Sequence, residues 1–156
     1  MEMLVAIFIL IVGIVGSYSA FTQIIIVTSA VSSKLTAAYL AQEGVEIIRN
    51  IRDTNWLQGF NQDNGLSNIC SVGCEADYTT GTNEETTELK SYTGNQLCIN
   101  SDGFYNYFSG SLTDFKRKIT VELVDSDILK VSSEVYWEDR GKSYNFTAEE
   151  RLYDWY

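Results

Sequence analysis

From Met3 to Ser33 the chain carries no charged residue: 31 positions rich in Ile, Val, Leu and Ala lie between Glu2 and Lys34. About 20 apolar residues cross a bilayer, and the core of a secretory signal runs to only about 7–15. A run this long predicts a helix buried in lipid or among partner helices, not a core segment of a soluble domain. Gly13 and Gly16 interrupt the run, but membrane helices tolerate glycine. Residues 1–33 are therefore expected to form a transmembrane or assembly helix.

The helical pattern continues past the charge boundary and changes character. Ala37, Leu40, Ala41, Gly44, Ile47, Ile48 and Ile51 recur at three- and four-residue intervals, with Glu43, Glu46, Arg49, Asn50 and Asp53 between them. That spacing predicts an amphipathic half, residues 34–53, with one dry stripe. Residues 1–53 as a single helix would reach about 78 Å. One half would lie in lipid or in partner helices and the other against a folded head.

The remainder is acidic. Residues 54–156 hold 17 Asp and Glu against 8 Lys and Arg, a net of −9, so nearly all of the chain's −10 belongs to the head. Such a charge repels phosphate backbones and argues against nucleic-acid binding. Lys116, Arg117 and Lys118 form a short basic run, expected to lie on a solvated strand face. The chain has no His and no Cys-x-x-Cys pair, which argues against a zinc site, and no cofactor motif is present. No Ser or Cys nucleophile has a His base and no phosphate-binding loop occurs, so the chain does not read as an enzyme.

Residues 54–112 read as a variable, loop-rich region punctuated by Gly59, Asn64-Gly65, Gly73, Gly81, Gly94 and Gly103. Tyr78 to Glu85 reads as an exposed loop. Short strands are expected around Thr87–Ser91 and Gln96–Asn100, with Asp102-Gly103 as a hairpin signal. Residues 113–156 alternate. Phe115, Ile119, Val121 and Leu123 share one face; Leu129, Val131, Ser133, Val135 and Trp137 share the next; Tyr144, Phe146 and Ala148 share the third. Asp125-Ser126-Asp127 and Asp139-Arg140-Gly141-Lys142 supply the turns. The result is an antiparallel meander with one wet face, its dry face covered by the amphipathic half-helix. The expected fold class is α+β.

The opening Met1-Glu2-Met3-Leu4-Val5-Ala6-Ile7-Phe8-Ile9-Leu10 and the stretch Ala38-Tyr39-Leu40-Ala41-Gln42-Glu43-Gly44-Val45-Glu46-Ile47-Ile48-Arg49-Asn50 resemble the N-terminal helix of type IV pilins and pseudopilins, of minor-pilin type. Phe115 to Thr120 and Trp137 to Tyr156 look similar to the same group. The resemblance is strongest in residues 2–53 and weakest in 54–112. In that family a basic leader ending in Gly precedes Phe-Thr-Leu-x-Glu and is removed by a prepilin peptidase. This sequence begins part-way into that pattern, with Met1 in the place before the Glu, so cleavage and N-methylation are implied by the resemblance alone.

The resemblance implies a subunit of a type IV pilus-like filament. It would be held in the inner membrane by a single pass with the head outside, and assembled with other pilin subunits by inner-membrane pilus machinery. It also implies a role for Glu2, whose counterpart neutralises the N-terminal amine of a neighbouring subunit. On position alone, Glu2 pairs in this way or rests among lipid headgroups. The alternatives are a pseudopilin of a type II secretion or DNA-uptake system, and a single-pass receptor or adhesin that never polymerises.

Cys70, Cys74 and Cys98 allow three single bridges. The spacing across Ser71-Val72-Gly73 favours Cys70–Cys74 as a clip in an exposed loop, with Cys98 as a small apolar strand residue. Asn61, Asp63 and Gly65, and Asp125 and Asp127, lack a calcium loop's spacing and read as turn residues. Asn145-Phe146-Thr147 matches a glycosylation sequon inside an expected strand. Phe104, Tyr105, Tyr107 and Phe108 are expected in the sheet core, an adhesive patch being the alternative.

Overall fold

The computed structural model describes residues 2–81 and 88–154. It has helices α1 (Glu2–Leu57) and α2 (Ser67–Cys70). Its strands are β1 (Cys74–Glu75), β2 (Lys90–Ser91), β3 (Gln96–Ile99), β4 (Tyr105–Asn106), β5 (Ser111–Asp125), β6 (Ile128–Asp139) and β7 (Lys142–Tyr153). The chain divides into two compact units, one up to Leu35 and one from Thr36 onward. The fold class is α+β, with an apolar N-terminal helix followed by a curled antiparallel sheet of seven strands. The second part of that helix packs on the sheet, a pilin-like arrangement.

Helix α1 runs one turn beyond the expected end at Asp53. Gly59 explains the difference. It has φ of +77°, its N–H donates to Trp56 O at 3.0 Å, and Phe60 N–H donates to Asn55 O at 2.9 Å. This is a Schellman cap, which only a residue free to adopt left-handed φ closes cheaply. The punctuating glycine marks the helix end, and the charge at Asp53 does not.

The core of the second unit follows from matching periodicities. Val45, Ile47, Ile48 and Ile51 of α1 meet Ile119 and Val121 of β5, Leu129 and Val131 of β6, and Leu152 of β7. Ala37, Leu40 and Ala41 meet Leu97, Val135 and Trp137. The three-four stripe of the helix thus lies on the alternate-residue face of the meander. Leu123 keeps its expected parity but is half exposed, next to the register irregularity that precedes Asp125. Helix and sheet lie close at Gly44: a Cβ there would lie 2.3 Å from Ser133 Oγ and 3.1 Å from Ser133 Cβ and Arg117 Cδ. A larger residue requires these side chains to shift.

The basic run is not a solvated face. Arg117 is fully buried, while Lys116 and Lys118 point the other way. Its parity is that of Phe115, Ile119 and Val121, so pleating carries it into the core. There its guanidinium donates to Leu40 O at 2.9 Å, to Glu43 Oε2 at 3.0 Å and to Ala76 O. One side chain ties α1, β5 and the segment after β1 together.

The variable region contains more order than its composition suggests. Lys90–Ser91 and Gln96–Ile99 form strands where short ones are expected, and β3 pairs β4 across the Asp102-Gly103 turn. Thr87 and Thr82 to Glu85 lie outside the described residues. Helix α2 and β1 were not expected. The bonded pair Cys70–Cys74 joins them, with Cα atoms 4.7 Å apart. Both cysteines are fully buried in the main core cluster, so the clip does not lie in an exposed loop. The reason is local: Cys74 pairs with Ser91 on one side and Ile119 on the other, inside the sheet. Cys98 carries no disulfide and is half-buried in β3.

Buried carboxylates organise the loops. Glu75 accepts the N–H groups of Thr93 and Asn95, both at 3.0 Å, and the Asn95 side-chain amide at 2.9 Å. Asp77 accepts Thr79 N–H and hydroxyl and Tyr107 N–H. Burial alone would raise the Glu75 pKa, but the donors of Thr93 and Asn95 outweigh it and hold the group below the ordinary carboxylate range. A depressed folded pKa gives stability that is complete above the unfolded value of about 4.3 and is lost as pH falls through the folded value. The melting temperature of the native chain is therefore expected to drop as pH falls below about 5. Glu75→Gln should lower stability at pH 7 by about 1–3 kcal/mol and flatten that acid limb, which thermal melts from pH 7 to 3 would show. An equally steep limb in the variant would assign it to other carboxylates.

Candidate functional site

The apolar surface of the first unit is the feature that most needs a partner. The most apolar 18-residue stretch of α1 has no buried residue. Met3, Leu4, Phe8, Ile9, Leu10, Ile14, Tyr18, Phe21, Ile24 and Ile25 are among the exposed large apolar side chains, Met3 at 78%. Contiguous apolar patches on soluble monomers rarely exceed a few hundred Å². Covering each such side chain is worth about 1.5–3 kcal/mol. The helix is long and apolar enough to cross a membrane.

Two hydroxyl side chains in this unit, Ser17 and Thr22, suit an apolar surrounding. Ser17 Oγ donates to Gly13 O at 2.8 Å, and Thr22 Oγ1 donates to Ser19 O at 2.9 Å and to Tyr18 O at 3.3 Å. Hydroxyls that turn back onto their own helix carbonyls bring no unmet donor into lipid or into a helix interface. Glu2 stands in the first turn, exposed. A carboxylate there complements the positive end of the helix dipole and stands beside a surface with no other charge as far as Lys34.

The other candidate residues take structural roles. Asp63 accepts the Ser67 hydroxyl at 2.9 Å and its carbonyl accepts Leu66 N–H. Asp125 Oδ1 accepts Ser126 N–H at 2.8 Å. These are turn contacts, and no three acidic, Cys or His side chains gather into a metal-binding group among the described residues. Asn145 lies within β7 and donates to Glu134 Oε1. The aromatic quartet divides. Tyr105 and Tyr107 pack against the second core cluster, and burial raises the Tyr107 pKa, Arg117 opposing. Phe104 and Phe108 stay exposed at 55% and 61%, contrary to their expected place in the core: they flank β4, which is only two residues long. Tyr78 meets Phe104 with ring centroids 5.2 Å apart.

Gly44 lies buried in the dry stripe where it is expected. Arg117, expected on a solvated face, is buried instead, as its parity with Ile119 and Val121 within β5 signals. Comparisons with family models, with curated proteins and with solved structures give no match.

Proposed function

We propose that the chain is a structural subunit of a type IV pilus-like filament, anchored by α1 in the inner membrane before assembly. The carrying observation is the uncovered apolar surface of the first unit, on a helix whose residues beyond Thr36 are packed on a sheet. Lipid satisfies that surface in the stored subunit and the apolar helices of other subunits satisfy it in the filament. Close packing and displaced lipid drive the exchange. A head that repeats one contact without closing generates a helical polymer. The role is assembly rather than catalysis, and the partners are other subunits and the inner-membrane machinery that extracts them. The head faces outward and becomes extracellular after assembly.

Glu2 gives the reading its test. A carboxylate entering an apolar core costs several kcal/mol unless a cation meets it. The amine of a neighbouring subunit's N-terminus is the cation at the matching depth. Glu2→Ala should lower the share of this subunit in sheared filaments about tenfold or more, equivalent to at least 1.4 kcal/mol, with unchanged amounts in the membrane. Normal incorporation of the variant would rule out the pairing. Subunit found only in membranes, with no polymer under any expression condition, would favour a single-pass receptor.

A further inference from the structure

Among the described residues strand β7 pairs only with β6, so its other side is an open edge along a strand of 12 residues. The opposite margin of the sheet is made by β2 and β4, of two residues each. The turn before β7 determines which backbone groups face outward. Arg140 (φ 52°) and Gly141 (φ 73°) are both left-handed, a type I′ turn whose closing pair, Asp139 and Lys142, exchanges both hydrogen bonds. Every second residue from Lys142 therefore bonds to β6, and Ser143, Asn145, Thr147, Glu149 and Arg151 direct N–H and C=O away from it. The far end agrees. Asp154 N–H donates back to Asp127 O at 2.7 Å, whereas Tyr153 O accepts from Arg52 of α1.

Edge strands are usually blunted, often by an inward-facing charge. Glu150 holds that position, but Arg49 pairs with it and cancels it. Beside the same end of β7 lies a groove of about 600 Å³ whose lining includes Trp56, Leu57, Leu152 and Tyr153. Leu57 is 89% exposed. At the other end of β7, Tyr144 shares the inward parity of Leu152 and is 43% exposed.

We propose that β7 pairs antiparallel with β7 of a second copy of this chain, about a twofold axis at Thr147, and that Tyr144 of each copy enters the groove of the other. Antiparallel pairing brings the Tyr144 end of one strand beside the Leu152 end of its mate. Centring on Thr147 is the register that pairs all five outward residues with one another. It sets Thr147 against Thr147, a favourable cross-strand pair, Glu149 against Asn145, and Arg151 against Ser143. No like charges oppose, and Arg140 falls opposite Asp154. No other strand among the described residues has a free edge of comparable length, so the contact is isologous. The pairing uses the head alone and does not rest on the filament reading.

Nitroxide labels on the full-length chain in detergent micelles test it. A Cys98→Ala background leaves the bonded Cys70 and Cys74 unlabelled, and single sites Thr147→Cys, Asn145→Cys and Ser143→Cys are compared. The pairing requires backbone separations between copies of about 5, 14 and 27 Å in that order, from the antiparallel spacing and about 3.4 Å per residue. Helix-driven association alone gives a dimer without that ladder. Thr147→Pro removes only an outward N–H, so the coupling at Asn145→Cys should vanish while the melting temperature holds. Tyr144→Glu, which sets a carboxylate directly opposite Glu150 of the other copy, should abolish it as well and covers the case in which the proline variant misfolds. A ladder with its minimum elsewhere, no short distance at Thr147→Cys in the Cys98→Ala background, or coupling that survives Tyr144→Glu would overturn the proposal.

Discussion

Ile48→Asp is expected to unfold the head. Ile48 is fully buried in the main core cluster between α1 and the meander. Losing its apolar burial costs about 1.5–3 kcal/mol. A carboxylate in its place is desolvated and has no cation, which adds several kcal/mol more. The total exceeds about 4–5 kcal/mol, against a net stability of about 5–15 kcal/mol for an ordinary domain. Arg49 and Arg52 do not rescue it. Arg49 is paired with Glu46 and Glu150, and Arg52 with Asp53. Near-ultraviolet circular dichroism of the full chain in detergent should show loss of the tertiary signal at 25 °C, with Ile48→Val as the mild control at about 0.5–1.5 kcal/mol. A wild-type melting curve for Ile48→Asp would mean that this helix face is not the cover of the sheet. The apolar residues up to Ser33 should stay helical in the same variant, since none of their side chains takes part in this core.

How far the sequence exposes the fold depends on how local the causes are. The long helix and the three meander strands are legible because their periods, 3.6 and 2, repeat over many residues and the turn chemistry agrees with them. The end of α1 lies four residues past the expected Asp53, because the apolar stripe stops at Ile51 while the cap is closed by Gly59, whose φ is left-handed. Helix α2 and β1 were illegible for another reason. They are four and two residues long, too short for any period, and contacts far along the chain hold them. Glu75 reaches Thr93 and Asn95, 18 and 20 positions away. The placement of Cys74 depends likewise on Ile119 of β5. Glu2 was legible as a lone charge at the mouth of an apolar run, yet the pairing proposed for it involves a second molecule, which no contact within one chain expresses. The open edge of β7 is a consequence of topology, which strand alternation does not encode.

Arg117→Ala is expected to cost about 3–5 kcal/mol, the usual loss when one partner of a buried ionic network is removed. The guanidinium spreads over three acceptors on two segments, Leu40 O and Glu43 on α1 and Ala76 O after β1. Tyr107 binds from the opposite direction, its hydroxyl donating to Arg117 O at 3.2 Å. Truncation leaves Ala76 O without that donor, opens a void beneath Gly44, and removes the cation facing Glu43, itself about one-third exposed. Arg117→Lys keeps the charge but not the planar fork that reaches these acceptors together. It should recover less than half of the loss. Double-mutant cycles with Glu43→Gln separate the ionic part from the rest. The fold described here requires a coupling near 1 kcal/mol, because Glu43 is partly solvated, and a larger remainder from the two carbonyls and the packing. A lysine variant as stable as the wild type would show that Arg117 acts as a buried charge alone, and the clasp between helix and β1 would then be lost as an explanation of why α1 sits where it does on the sheet.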